Sequence, residues 1–141
     1  MTHESQIFAN LLHRAAAVWR VRIDERLRPR GMTQATWRTL WALRSADARY
    51  SQSDLAVRLG IETPTLVPIL DRMETKGLLR REPDEQDRRK KIIVMTARGE
   101  AEAATIEVEI LAIRQQMLAG ISEHDLQAGL RIFEQIIANA G

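Results

Sequence analysis

Residues 51–95 read SQSDLAVRLGIETPTLVPILDRMETKGLLRREPDEQDRRKKIIVM, and this stretch carries the strongest structural signals in the chain. Ser51, with Asp54 three residues later, has the form of a capping box and predicts a first short helix over 53–59. Gly60 then permits a sharp turn, because glycine accepts positive φ at little steric cost. The stretch therefore opens with a short helix and a tight turn.

A second helix is predicted directly after the turn. Thr63 is a favourable N-cap, and Pro64 at the first helical position gives up an N–H that would have had no partner. Apolar residues at helical spacing form one inward stripe, which consists of Leu66, Ile69, Leu70 and Met73. The opposite face carries Pro64, Thr65, Pro68, Asp71, Arg72 and Thr75. This layout is typical of a helix-turn-helix, which offers its second helix to the DNA major groove, although an ordinary helical hairpin has the same spacing.

A basic hairpin follows the two helices. Strands are predicted at 78–82 and 92–95, on either side of a turn at 83–87. Consecutive cations lie at the tip and at the start of the returning strand, namely Arg88, Arg89, Lys90 and Lys91. A helix-turn-helix followed by a basic two-stranded wing predicts a winged helix. Its second helix would enter the major groove, and its wing would reach the backbone or a minor groove.

Long amphipathic helices are predicted outside this stretch. Apolar spacing, caps and breakers place helices at 6–28, 34–46, 97–119 and 123–139. The first has more apolar face than one small core needs, and subunit association would bury the excess. The predicted fold is mostly α with a small β-hairpin wing (α+β), in which the N- and C-terminal helices form a dimerisation bundle.

Composition and charge limit the class of protein. The chain has 141 residues, 45% hydrophobic and 28% charged, which suits one globular domain with dimerisation arms. No apolar run approaches a membrane span and no signal-peptide pattern is present, so no membrane association and a cytoplasmic location are expected. The absence of cysteine excludes disulfides and thiolate catalysis.

Charge is unevenly distributed along the chain. Residues 76–98 contain eight Lys or Arg and four Asp or Glu, a balance of +4, whereas residues 99–141 contain two and seven, a balance of −5. A basic middle followed by an acidic end indicates that the middle meets phosphate, although a solvated basic face is the alternative.

The chain resembles the MarR family of bacterial transcription regulators. The resemblance rests on the wing, with Asp87-Arg88-Arg89 and then Thr96-Ala97-Arg98-Gly99. A block similar to the SlyA branch consists of Trp19-Arg20, Ile23-Asp24, Arg26-Leu27, Pro29, Thr33-Gln34 and Trp37. The resemblance covers essentially the whole chain. It implies one MarR-like unit over 1–141, with dimerisation helices at 1–30 and 99–141 and a winged helix-turn-helix DNA-binding region at 33–97.

The resemblance implies a dimeric, sequence-specific regulator, either a repressor or an anti-silencer, on a pseudo-palindromic operator. The second helix would contribute base or phosphate contacts from Thr65, Arg72 and Thr75. The resemblance assigns Arg89 to the minor groove and Asp87 to holding it in place. Neutralisation of the DNA backbone suits Arg88, Lys90 and Lys91. Plain solvation is the alternative for each of these wing cations.

Pro68 departs from the family pattern, because the SlyA branch usually has arginine at this position. Proline at this point removes a backbone hydrogen bond, kinks the helix and deletes a base-edge donor. We therefore expect a different operator from that of SlyA-type relatives, or weaker base readout with more binding from the wing.

The resemblance also implies a small aromatic, anionic effector, such as an aromatic carboxylate or a phenolic compound, in a crevice between bundle and winged region. Trp19 and Arg20 on the first helix and Trp37 on the second are the candidate contacts, because an aromatic wall with a guanidinium suits a carboxylate-bearing ring. Ordinary core packing of the tryptophans and a salt bridge of Arg20 are the alternatives.

Other classes of function have weaker support in the sequence. His3, His13 and His124 are far apart, and no GxSxG, P-loop or GxGxxG pattern occurs, so no enzyme activity, catalytic residue, metal site or cofactor is expected. A winged helix for protein contact would have to bury the basic wing tip, which is costly. A sequence-tolerant architectural DNA-binding protein is the remaining alternative.

Overall fold

The computed structural model describes residues 2–45 and 49–141. Within these residues the chain forms six α-helices and one antiparallel hairpin. In chain order the elements are α1 (His3–Leu27), α2 (Gln34–Arg44), α3 (Gln52–Leu59), α4 (Thr63–Thr75), β1 (Leu79–Pro83), β2 (Lys91–Met95), α5 (Ala97–Met117) and α6 (Glu123–Asn139). The predicted mostly helical fold with a β-hairpin wing is confirmed.

Most helix boundaries follow the capping signals of the sequence. The hydroxyls of Ser51, Thr96 and Ser122 each accept a hydrogen bond from the backbone N–H three residues later. The predicted start of α4 was wrong by one residue, since Glu62 is the N-cap and Pro64 is the second helical residue. Proline is tolerated there because the N–H groups of the first turn have no acceptor within the helix.

The ends of the first two helices also differ slightly from the predictions. Helix α1 starts at His3 rather than at residue 6, because the Thr2 hydroxyl caps it by accepting from the Ser5 N–H. Helix α2 ends at Arg44, and the predicted end at Ala46 lies outside the described residues.

The hydrophobic core lies under α4, where α2, α3, the hairpin and α5 meet. Three members of the predicted α4 stripe are buried, and the fourth, Ile69, is half-buried. The buried three are Leu66, Leu70 and Met73. Each such side chain contributes about 1.5–3 kcal/mol when it leaves water. This burial holds α4 with its opposite face toward solvent.

The hairpin is attached to the rest of the fold at its base. Strand β1 pairs with β2 in a register that sets Leu79 opposite Met95 and Arg81 opposite Ile93. The far edge of β2 is also paired, because the Ile93 N–H donates to the Tyr50 carbonyl at 2.9 Å. A third, short extended segment therefore supports the base of the hairpin.

A close backbone approach joins the hairpin to α5. The Thr96 hydroxyl donates to the Gly77 carbonyl at 2.5 Å and accepts from the Gly99 N–H at 3.0 Å. Gly99 packs so closely on the preceding turn that a Cβ there would lie 1.9 Å from the Leu78 carbonyl oxygen. Only glycine fits at this position without a shift of the backbone.

The terminal helices expose large apolar side chains. Among the residues of α6 none is buried, although Leu130, Phe133 and Ile136 lie on one apolar face. Helix α1 exposes a similar set, which includes Phe8 and Leu11. One copy of the chain therefore leaves these faces uncovered. None of the helices described here has the length and apolar character that a membrane crossing requires.

Candidate nucleic-acid interface and effector groove

The outward face of α4 carries the three helix residues selected from the sequence. Thr65, Arg72 and Thr75 are all exposed. The Thr75 hydroxyl donates to the Asp71 carbonyl of its own helix at 3.0 Å, which leaves its lone pairs available to another donor. No carboxylate of residues 2–45 or 49–141 forms an ion pair with Arg72. This face therefore offers one unpaired guanidinium and two hydroxyls to a ligand.

Pro68 lies on the same exposed face, at the middle of α4. The helix is continuous from Thr63 to Thr75 despite the proline. Since Pro68 has no N–H, the Pro64 carbonyl lacks its usual helical donor. The middle of the face thus presents an apolar ring where a long donor side chain would otherwise extend.

The tip of the wing holds Arg89 against Asp87. The Asp87 carboxylate accepts from the Arg89 Nε at 3.1 Å and from the Arg89 backbone N–H at 3.2 Å. These hydrogen bonds from Arg89 lower the pKa of Asp87 below its usual value. The Arg89 side chain is nevertheless 91% exposed. Asp87 therefore orients a guanidinium that extends freely into solvent.

The other three cations of the wing are exposed without a partner. Across the described part of the chain, no carboxylate forms an ion pair with Arg88, Lys90 or Lys91. The acidic residue of the adjacent strand, Glu82, is already engaged, because Arg80 bonds it at 2.7 Å and lowers its pKa. The positive charge of the wing tip is consequently available to an anionic partner.

Arg81 is a central residue of this region that sequence reasoning missed. Its guanidinium donates to Asp71 at 2.6 Å, to Glu74 at 2.8 Å and to Gln52 at 3.3 Å. Hydrogen bonds from the Arg81 side chain and backbone lower the pKa of Glu74, while the bond to Glu74 raises the pKa of Arg81. In the sequence, the only sign of this cluster was a pair of carboxylates three residues apart on α4, followed by arginines on the next strand.

A separate groove of about 670 Å³ lies between α1, α6 and the turn that precedes α6. Trp19 and Arg20 line it, together with mainly apolar residues such as Phe8 and Phe133. Trp37 is placed elsewhere, since its side chain is only 5% exposed and belongs to the core of the winged region. The structure thus brings two of the three predicted effector contacts together. It locates them among the terminal helices rather than in a crevice against the winged region.

Arg38 on α2 is a second cation that sequence reasoning did not select. It donates to the Leu59 carbonyl at 3.1 Å, and its pKa is lowered by burial and then by the nearby charge of Arg20. Neither arginine forms an ion pair with any described carboxylate. The positive charge of Arg20 on α1 thus acts on the guanidinium of Arg38 on α2. No cluster of three His, Asp or Glu side chains suited to a metal occurs in the described residues.

One family profile and several solved structures match this chain. The sequence profile of the MarR family matches residues 30–90. Transcriptional regulator PA3341, which has a crystal structure, is 35% identical in sequence to this chain. The match covers 94% of this chain and 97% of the PA3341 chain, with a TM-score of 0.89. A MarR family regulator from Silicibacter pomeroyi is 26% identical over 92% of this chain and 86% of its own, with a TM-score of 0.79. BpsR from Bordetella bronchiseptica, whose DNA binding is regulated by 6-hydroxynicotinic acid, shares the fold at 23% identity over 96% of each chain, with a TM-score of 0.79.

Proposed function

The chain belongs to the MarR family of transcriptional regulators, and we propose that it acts as a homodimer that binds a pseudo-palindromic operator in double-stranded DNA. The observation that carries this proposal is the exposed α4 face beside a basic wing tip. There Arg88, Lys90 and Lys91 form no ion pair with a described carboxylate, and Arg89 stays exposed although Asp87 holds it. Exposed, unpaired Lys and Arg side chains beside an outward helix are what a polyanionic duplex requires.

Each part of this surface has a proposed role on DNA. Helix α4 enters the major groove, where Arg72 and the hydroxyls of Thr65 and Thr75 contact base edges or phosphates. Arg89 enters the adjacent minor groove, where the negative potential of a narrow groove attracts a guanidinium. The remaining wing cations, Arg88, Lys90 and Lys91, neutralise phosphates.

The dimer is proposed to form through the helices within 1–30 and 99–141. Helix α6 exposes Phe133 and Ile136 along its whole apolar face, and α1 exposes Phe8 and Leu11. An apolar surface of this extent on two helices is stable in water when a second copy covers it. A two-fold dimer would place two winged regions, 33–97 of each copy, on half-sites about one helical turn apart. Such a dimer represses where it blocks polymerase, and it acts as an anti-silencer where it displaces a silencing protein.

Fluorescence anisotropy tests the DNA proposal directly. The purified protein is titrated against a duplex from upstream of its own gene and against a scrambled duplex, over a series of salt concentrations. We expect the upstream duplex to bind about a thousandfold more tightly at physiological salt. If both duplexes bind equally and with a steep salt dependence, the next experiment is to select bound sequences from random DNA. If that selection enriches no sequence, the protein is a sequence-tolerant architectural binder instead.

An anionic aromatic effector is the second part of the proposal. The groove supplies an aromatic wall at Trp19 and the guanidinium of Arg20, which forms no ion pair with a described carboxylate and favours a carboxylate-bearing ligand. Because the apolar walls of α1 and α6 also suit a second copy of the chain, the effector is assigned to the Arg20 end of the groove. An anion bound at Arg20 would shift α1 against α6, alter the orientation of the winged regions and release DNA.

The effector proposal is tested by adding 6-hydroxynicotinic acid or another aromatic carboxylate to the preformed DNA complex. We expect loss of anisotropy, and loss of this response in Arg20→Leu. Arg22→Leu is the matched control, because Arg22 lies on the same helix and pairs with Glu25 at the surface. DNA must weaken effector binding by the same factor as the effector weakens DNA binding. DNA affinity that is unchanged by every such compound would overturn this part alone.

A further inference from the structure

Arg81 joins three elements at the base of the wing, and we infer that it is a positioning residue that locks the wing to α4. Through this lock, α4 and Arg89 would reach DNA as one rigid body. The role in DNA recognition rests on the function proposed above, whereas the rigid coupling itself is a property of the free protein.

The geometry around Arg81 supports a lock rather than an ordinary surface ion pair. The Nη2 atom of Arg81 donates to both Asp71 and Glu74 of α4, and its Nη1 atom donates to Gln52 at the start of α3. The Arg81 side chain is only 19% exposed, compared with 56% for Asp71 and 39% for Glu74. A planar guanidinium that serves several acceptors at once restricts their relative orientation, which a lysine would do less well.

The backbone of Arg81 adds a bond at the open edge of the hairpin. Ile93, which stands opposite Arg81, donates its N–H outward to Tyr50, so this pair does not exchange ladder hydrogen bonds. The Arg81 N–H therefore points to the outer edge of β1, where it donates to Glu74 at 3.1 Å. Both edges of the wing are thus attached to the body of the protein, one by Tyr50 and one by Glu74.

The same cluster also sets the charge on the DNA-facing helix. Arg81 contributes +1 against −2 from Asp71 and Glu74, so the cluster carries −1. Arg81→Leu changes this to −2, and the added repulsion of phosphate would by itself weaken DNA binding. Arg81→Leu/Glu74→Gln restores −1 while the lock remains absent. This double variant separates positioning from charge.

Binding measurements on the selected operator test the role of the lock in DNA recognition. We expect Arg81→Leu to bind about ten- to a hundredfold more weakly, the loss of one to two good contacts. The charge-matched double variant should stay weak, and Arg81→Lys should recover only part of the affinity. Arg89→Ala should strongly weaken DNA binding when it is made in the native protein, but weaken it little when it is made in the Arg81→Leu variant. Arg72→Ala should weaken DNA binding equally in both backgrounds. Native-like binding by the double variant, or equal effects of Arg89→Ala in both backgrounds, would overturn the inference.

Hydrogen exchange on the free protein tests the rigid coupling without DNA. Peptides from 79–95 should exchange faster in the Arg81→Leu/Glu74→Gln variant, while peptides from α2 keep their native protection. Unchanged protection in the wing would refute the lock. Faster exchange in α2 as well would show a general loss of stability and would also refute it. If the native protein binds no DNA, the proposed function fails, and the exchange result still decides whether Arg81 couples wing and helix.

Discussion

Replacing Gly99 with alanine tests how tightly the wing is joined to α5. On helix propensity alone, Gly99→Ala would stabilise α5 by up to about 1 kcal/mol. The structure predicts destabilisation instead, because the new Cβ would lie 1.9 Å from the Leu78 carbonyl oxygen and 2.9 Å from the Leu78 carbonyl carbon. These atoms belong to the backbone, so relief requires movement of the turn at 77–78 or of the start of α5.

The size of the effect follows from what such a movement disturbs. Overpacking of a tight site costs about 1–3 kcal/mol. The Thr96 cap on the Gly99 N–H contributes about 1 kcal/mol, and the bond from the Thr96 N–H to Leu78 contributes about as much. After the gain in propensity is subtracted, we expect Gly99→Ala to lower the free energy of unfolding by about 3 kcal/mol, and the melting temperature by about 10 °C.

Urea and thermal denaturation, followed by circular dichroism at a fixed protein concentration, measure this change. Ala101→Gly is the matched control, because it makes the reverse exchange at an exposed position of the same helix. It should destabilise by about 1 kcal/mol at most. A Gly99→Ala protein that melts at or above the native temperature would show that residue 99 does not pack tightly on the Leu78 carbonyl.

Three further results are expected. Asp87→Asn removes one negative charge and the partner that orients Arg89. The ratio of operator affinity to scrambled-DNA affinity should therefore fall, while binding to scrambled DNA does not weaken. An unchanged ratio would contradict the orienting role of Asp87. Lys90→Ala should weaken binding to all duplexes alike. Because each copy of the dimer loses one phosphate contact, the slope of log K against log salt should fall by about 2, and a native slope would mean that Lys90 contacts no phosphate. Because the pKa of Glu74 is lowered, its stabilising contribution is present above the ordinary carboxyl pKa of about 4.3 and is lost as the pH falls through the lower folded-state pKa. On acidification, the melting temperature of Glu74→Gln should therefore fall less than that of the native protein. Parallel plots of melting temperature against pH for the two proteins would argue against the bond to Arg81.

At Pro68, the local chemistry could be predicted from the sequence, but its effect on the operator sequence could not be checked from one chain. The sequence alone predicted that this position lacks both an N–H and a long donor side chain, and the structure places the ring on the exposed face of an unbroken helix. Which base pairs lie opposite that ring depends on how two copies sit on DNA. The expectation of a different operator therefore stays a prediction, and selection of binding sites is the measurement that checks it.

Local signals in the sequence determined most helix starts, the turns and the wing. Caps such as Ser51, Thr96 and Ser122 act on an N–H only three residues away, so the residues that specify them are adjacent in the chain. The contact of Asp87 with Arg89 is equally local, because both residues lie in one tight turn. Periodicity likewise identified the inward stripe of α4, since it depends only on the spacing within one helix.

The contacts between distant segments depend on how the helices and the hairpin pack against one another. Arg81 finds Asp71 and Gln52 because packing of α3, α4 and β1 brings residues 10 and 29 positions apart to one point. Trp19 and Trp37 both lie on apolar stripes, yet one lines a groove and the other is buried in the core. Periodicity tells which face of a helix is apolar, but the surface that covers this face belongs to other elements, and their arrangement depends on the packing of the whole chain.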